Sequence, residues 1–127
     1  MRLKNFSLSF GMPIFKSLAD ESRVRILHLL VEKKEMCITD LEQILDFTQT
    51  KTSRHLTYLK NSGIVNIRKQ DQFVFYSVRE EVYDFVSQVL NYVKKDLTLI
   101  HDLDSYNIMY SNRELAAYKI ESRKYLA

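Results

Sequence analysis

The side chains best suited to chemistry are concentrated in one polar stretch, residues 48–65. Its N-terminal half carries hydrogen-bond donors and cations, namely Gln49, Thr50, Lys51, Ser53, Arg54 and His55. Side chains of these types read the edges of bases and bind phosphate oxygens. We therefore predict that this segment contacts the major groove of double-stranded DNA.

A helix is needed to present these side chains on one surface. Thr52, Leu56 and Leu59 follow one another at spacings of four and three, which places them on one apolar side of a helix. Thr48 is suited to the N-cap, and Gly63 is suited to the left-handed residue that ends a helix. The predicted helix buries its apolar side and exposes its polar N-terminal end.

The segment before this helix predicts a second, shorter one. Residues 39–42 (Thr-Asp-Leu-Glu) have the pattern of a capping box, and the helix they open is expected over residues 40–45. Three residues then separate it from the polar helix. Two helices joined by so tight a turn form a helix-turn-helix arrangement.

The pattern changes after Gly63. Two runs rich in β-branched and aromatic residues, 64–67 and 73–78, flank the polar segment 68–72 and predict a two-stranded hairpin. Arg68 and Lys69 are expected at its tip, within reach of phosphates or the minor groove. A hairpin in this position is the wing of a winged helix.

The remaining chain predicts further helices. Pro13 suits the first position of a short helix, and Asp20 suits the N-cap of a helix that runs to about Glu32 and contains His28, which we interpret as a structural histidine. From Glu80 to Ile100, apolar residues recur at three and four, which predicts one helix of more than twenty residues. Residues 111–114 form a second capping box before a last helix.

We therefore predict a mainly α fold with a small β-hairpin, a winged helix-turn-helix with a long C-terminal dimerisation helix. The 127 residues divide into an N-terminal arm (1–11), a DNA-binding domain (12–79) and a helical dimerisation segment (80–127) of the same compact domain. The long helix exceeds what a small core covers, so part of its apolar side is expected to bury against a second copy in a homodimer.

Composition adds bounds on charge and location. Residues 48–79 contain six Lys and Arg against one acid, Asp71, whereas residues 32–47 contain two Lys against five acids. A basic segment beside an acidic one suits an oriented nucleic-acid surface. The single cysteine excludes an internal disulfide, and neither a secretion leader nor a membrane-length apolar run is present. We expect a cytoplasmic protein without membrane contact.

Residues 15–78 resemble the ArsR/SmtB-type winged-helix repressors. The resemblance lies in residues 18–30 (LADESRVRILHLL), 35–41 (EMCITDL), 48–65 and 73–78 (FVFYSV), and above all in the SRHL run at 53–56 with its following Leu-Lys-x-x-Gly turn. It implies a homodimer on a palindromic operator, with repression relieved by an inducer whose identity stays unknown. The positions that match the family's groove contacts are Gln49, Thr50, Ser53, Arg54 and His55, and those in its wing are Arg68 and Lys69.

The chain departs from the family's metal-sensing members. Where metalloid sensors carry three cysteines, this sequence has Cys37, Thr39 and Glu42, and one thiolate alone binds a soft metalloid poorly. Where zinc sensors carry acid and histidine pairs, it has His101 beside Asp102, with no histidine downstream. We predict no cofactor and no intact metal sensor, with Cys37 and His101 as the candidate ligands that remain.

Alternatives stay open at this point. Cys37 has three interpretations: a small buried residue, a redox-reactive thiol helped by Lys33 and Lys34, or a remnant metal ligand. A redox- or metal-responsive repressor using Cys37 is thus an alternative function, as is a winged-helix module that binds a protein partner. An enzyme is not expected, because the three histidines fall on separate predicted helices and no phosphate-binding glycine loop is present.

Overall fold

Helices surround a small antiparallel sheet in this protein. The structure, a computed structural model, describes residues 5–126, and side chains up to residue 121. In chain order the elements are α1 (Leu8–Ser17), α2 (Glu21–Lys33), β1 (Glu35–Cys37), α3 (Ile38–Leu45), α4 (Gln49–Asn61), β2 (Val65–Gln70), β3 (Phe73–Val78), α5 (Glu80–Asn91), α6 (Leu97–Ser111) and α7 (Ala116–Leu126). The predicted mainly α class with a small β element is confirmed.

Helix α4 has the boundaries that its sequence predicts. The Thr48 hydroxyl accepts the backbone N–H of Lys51 at 3.1 Å, as expected of an N-cap. Beyond the C-terminal end, Gly63 has φ +80°, a conformation that costs a residue without a side chain little. Thr52, Leu56 and Leu59 are buried, so the apolar side of α4 faces the core.

The sheet has a third strand that the sequence analysis did not predict. Strand order is β1-β3-β2, all antiparallel, and β1 is only three residues long, too short for its alternation to be recognised. The hairpin between β2 and β3 turns on Asp71 and Gln72, with Gln70 paired to Phe73. Arg68 and Lys69 therefore lie within strand β2, and the prediction that they occupy the hairpin tip is wrong.

Helix α3 begins differently from the prediction. Its N-cap is Cys37, the last residue of β1, which makes no side-chain cap bond. The predicted capping box at residues 39–42 is absent: Asp40 is buried and its carboxylate accepts the backbone N–H groups of Ala116 and Ala117 in α7. Likewise α7 begins at Ala116, so the second capping box at residues 111–114 is also wrong.

The C-terminal helix predicted as one long element is two helices. Residues 92–96 form a turn, and Asp96 caps α6 by accepting the backbone N–H of Thr98 at 2.8 Å. Residues 102–107 lie inside α6, where buried Asp102 pairs with Arg25 of α2 at 2.9 and 3.0 Å. A long-range ion pair of this kind leaves no mark in local sequence periodicity.

The N-terminal region is helical earlier than expected. Ser7 caps α1, which therefore begins at Leu8, within the segment assigned to the arm, and residues 1–4 of that segment lie outside the described residues. Pro13 is inside α1 and not at its first position. The next cap is as predicted, since Asp20 accepts the Arg23 N–H at 3.0 Å and α2 follows.

The core is centred on α2. Its residues from Ile26 to Val31 are all buried, His28 among them, against apolar side chains of α3, α4, β3 and α5. Within the described range, no helix has both the length and the apolar character needed to cross a bilayer.

Candidate nucleic-acid interface

The N-terminal end of α4 presents most of the predicted DNA-contacting side chains to solvent. Gln49, Thr50 and Arg54 are exposed, and Lys51 and Ser53 are partly exposed. The Lys51 ammonium lies 4.0 Å from the centre of the Phe47 ring, so the residue just before the N-cap orients this cation. The first helical turn of α4 therefore offers both cationic and neutral donors on one surface.

His55 departs from this pattern. It was expected to be exposed among the donors of α4, but it is only 7% exposed. Burial lowers its pKa, and the nearby Asp20 carboxylate opposes that effect only in part, so the imidazole is neutral at pH 7. His55 is buried because α4 packs on the start of α2, where the Arg23 guanidinium also stacks on the Tyr58 ring at 4.0 Å. His55 is a packing residue with little surface left for a base.

The two wing cations have different surroundings. The Arg68 guanidinium donates to both carboxylate oxygens of Glu35 at 2.7 and 2.9 Å and lies 4.6 Å above the Phe75 ring. The hydrogen bonds to Glu35 raise the pKa of Arg68. Lys69, the next residue of β2, is exposed. Lys69 is thus the wing cation that needs no rearrangement to approach a phosphate.

The connection between α4 and the wing is short and well bonded. Backbone N–H groups of Gly63 and Ile64 donate to the carbonyls of Lys60 and Leu59, and Arg79 bonds back to the Ile64 carbonyl at 2.8 Å. The end of α4 and the base of the hairpin are therefore joined by backbone hydrogen bonds. The polar residues of α4 thus form one surface. Lys69 lies on a separate element, β2, which is connected to α4 by this short segment.

Cys37 lies away from this surface and is 1% exposed. Its sulfur is 3.1 Å from the Thr39 hydroxyl, and burial raises the pKa of the thiol, which favours the protonated form. The cations proposed to activate it are occupied elsewhere. Lys33 lies over the Tyr106 ring, and Lys34 donates to the Tyr83 hydroxyl. These contacts favour the interpretation of Cys37 as a small buried residue.

The two candidate metal ligands are not brought together. Cys37 ends β1, whereas His101 is exposed on α6, and its neighbour Asp102 is turned inward to Arg25. Across the residues that the structure describes, no three His, Cys, Asp or Glu side chains are grouped as a metal ion requires. Local sequence patterns give no sign of the contacts of Asp40, because its partners are 76 and 77 residues away.

Comparison with known proteins finds relatives over the helix-turn-helix region. Residues 20–66 match the family described as "Bacterial regulatory protein, arsR family". The arsenical resistance operon repressor of Escherichia coli K12 is 41% identical over 86 residues, which are 66% of this chain and 74% of that protein. The cadmium resistance regulator CadC of Listeria innocua is 37% identical over 61% of this chain and 66% of its own length, just under two thirds.

Solved structures agree with the fold. The homodimeric winged helix-turn-helix DNA-binding domain of Mb0332 from Mycobacterium bovis superposes with a TM-score of 0.63 and 25% identity, over 71% of this chain and 83% of that one. The superposition confirms the winged helix predicted from the hairpin after α4.

Proposed function

This chain belongs to the ArsR family of bacterial transcriptional regulators, and from that premise we propose that it is a cytoplasmic repressor acting as a homodimer on a palindromic operator. The observation that carries the proposal is the polar N-terminal end of α4, exposed beside a tight turn from α3. A helix end presented in this way enters the major groove with its first turns against the base edges.

We assign separate roles to the donors of this surface. Gln49, Thr50, Ser53 and Arg54 contact base edges, because amide, hydroxyl and guanidinium groups form directional bonds there. Lys51 and Lys69 contact phosphates, which position the protein without reading sequence. His55 supports α4 from beneath, and Arg68 serves as a phosphate contact only when it leaves Glu35.

The dimer surface proposed here differs from a single long helix. Leu8, Met12 and Phe15 of α1 follow one another at spacings of four and three, and their side chains are 79%, 43% and 47% exposed. The ring of Phe15 also contacts Phe85 of α5, so α1 and α5 contribute to one apolar patch. Exposed apolar area arranged along a helix is typical of a surface that a second copy covers.

Salt dependence tests the function. The probe is a duplex covering the region upstream of the protein's own coding sequence, titrated by fluorescence polarisation. If about six to ten phosphates are neutralised, affinity falls by roughly 10³ to 10⁵ between about 50 and 200 mM salt. A folded dimer whose binding to this duplex is absent or independent of salt would instead favour a module that binds a protein partner.

The base-reading role of Arg54 has its own test. Arg54→Ala is expected to cost about 1–3 kcal/mol of binding free energy and to relax the preference at one operator position. Lys60→Ala is the matched control, since Lys60 is an exposed cation in the last turn of the same helix. Equal losses for both variants, with no change in base preference, would remove the assignment.

A further inference from the structure

Helix α7 is attached to the DNA-binding elements by an unusual contact. Asp40 of α3 is 2% exposed, and its two carboxylate oxygens accept the backbone N–H groups of Ala116 and Ala117 at 2.8 and 3.0 Å. These N–H groups belong to the first turn of α7, which has no partner for them within the helix. A side chain of the helix-turn-helix thus supplies the N-terminal cap of the C-terminal helix.

The same helix covers the outer face of the sheet. Cys37 of β1 and Phe75 of β3 are direct cross-strand neighbours, and both are buried beneath Ala116 and Ile120 of α7. This small cluster is separate from the main core around α2. The outer face of the sheet would be open to solvent without α7, because no other described element contributes a buried residue to this cluster.

Contacts of α7 extend to the wing. A cavity of about 200 Å³ lies between the helix and the sheet, and its lining includes Ala117 and Ile120 from α7 together with Arg68 and Gln70 from β2. Through Asp40 and this sheet face, α7 reaches both parts of the DNA-binding unit, the first helix of the helix-turn-helix and the hairpin. The most extensive contacts of α7 are with α3 and β1.

We propose that α7 is a detachable brace that sets the wing relative to the helix-turn-helix, with Asp40 as the positioning residue that holds it. This inference rests on the proposed function. An isolated helix of eleven residues is marginal in water, so α7 keeps its structure mainly through docking. Its detachment is a local opening of the kind that costs less than global unfolding. The docked form is the one competent to bind DNA.

Cys37 provides a direct measure of docking. The thiol is covered by α7, so its reaction with dithiobisnitrobenzoate proceeds through the opened form and its rate follows the opened fraction. By thermodynamic reciprocity, if docking favours DNA binding, then DNA must favour docking. Saturating wild-type protein with the upstream duplex is therefore expected to slow labelling of Cys37 at least about fivefold, the lower end of typical coupling factors.

Variants of the full-length chain test the brace from its two contacts. Asp40→Asn keeps the size of the side chain but exchanges one acceptor for a donor, and we expect labelling roughly 2- to 30-fold faster, the range for a lost helix cap. Ile120→Ala weakens the sheet contact independently and acts in the same direction. Asp104→Asn is the matched control, an exposed aspartate of α6 that is expected to label at the wild-type rate.

DNA affinity responds only when the docked form ceases to dominate, because apparent affinity scales with the competent fraction. The labelling rate of the double variant Asp40→Asn with Ile120→Ala gives its docked fraction. We expect its affinity for the duplex to fall in proportion to that fraction, while its far-UV spectrum stays that of a folded protein. The proposal is refuted if the labelling rate shows that the double variant is mostly undocked while its DNA affinity is unchanged. It is also refuted if Cys37 of Asp40→Asn is labelled at the wild-type rate, or if bound duplex does not change the labelling rate of the wild-type protein. Failure of wild-type protein to bind the duplex at all refutes the proposed function instead.

Discussion

At the scale of single residues, the most consequential burial is that of His28. Both ring nitrogens lie in the core of α2 without a hydrogen-bond partner, and Glu32 is its nearest acid, 4.0 Å away. Burial lowers the pKa of His28, and the charges of Glu32 and Asp102 oppose the shift only in part. The folded protein therefore holds a neutral imidazole where the unfolded chain binds a proton readily.

This arrangement predicts acid sensitivity. The pKa of His28 is lower in the folded protein than in the unfolded chain, where it is near 6.5. His28 therefore does not reduce the free energy of unfolding above that pH, and reduces it as pH falls toward the folded pKa. In that window each such histidine adds at most about 1.4 kcal/mol per pH unit to the slope. Urea unfolding of His28→Leu between pH 7.5 and 5.5 is expected to show a shallower fall than wild type, with the buried His55 accounting for the rest.

His101→Leu is the control, because His101 is exposed on α6. That variant should keep the wild-type dependence of the free energy of unfolding on pH. If His28→Leu also kept it, the neutral form of His28 would not be what the fold selects.

At the scale of elements, the wing carries two exposed cations, of which Arg68 is paired with Glu35. Lys69→Ala is expected to reduce the slope of log affinity against log salt by about one, as for one lost phosphate contact. Arg68→Ala should reduce it less, because Glu35 already neutralises this guanidinium. The measurement is the salt titration described above, applied to both variants. A larger loss of slope at Arg68 than at Lys69 would mean that DNA displaces Glu35.

Elements differ in how far their sequence determines them. Helix α4 was predicted with its cap, its buried stripe and its terminal glycine, because each of these signals is local to residues 48–63. The N-terminal ends of α3 and α7 were not, because the predicted capping boxes at residues 39–42 and 111–114 do not mark the starts of these helices, and Asp40 bonds instead to a helix 76 residues away. The break between α5 and α6 was not predicted, because the helical spacing of apolar residues continues through the turn that separates them.

The candidate site divides in the same way. Composition and spacing identified the donors of α4, but they gave no means to see that His55 packs against the start of α2 or that Arg68 reaches across β3 to Glu35. Both contacts depend on how elements pack, which a single segment does not record. The sequence is thus a good guide to which side chains are present and a poorer one to which are already engaged.

At the scale of the whole molecule, the proposed dimer depends on the exposed stripe of α1. Met12→Glu places a charge in the middle of that stripe and is expected to raise the dimer dissociation constant at least about tenfold, or roughly 1.4 kcal/mol. Sedimentation equilibrium measures the change. Gln43→Glu adds the same charge at an exposed position of α3, outside the stripe, and should leave association nearly unaltered; comparable dissociation by both variants would place the interface elsewhere.

The pairing of Arg68 with Glu35 also bears on how the protein searches a chromosome. The two wing cations, Arg68 and Lys69, are matched by two nearby acids, Glu35 of β1 and Asp71 of the hairpin turn, so the hairpin and β1 together carry little net charge. Attraction to bulk phosphate is the part of DNA affinity that ignores sequence and retains a protein on the wrong sites. We expect a wing balanced in this way to shorten each unproductive visit, so that selectivity rests on the proposed base contacts of α4.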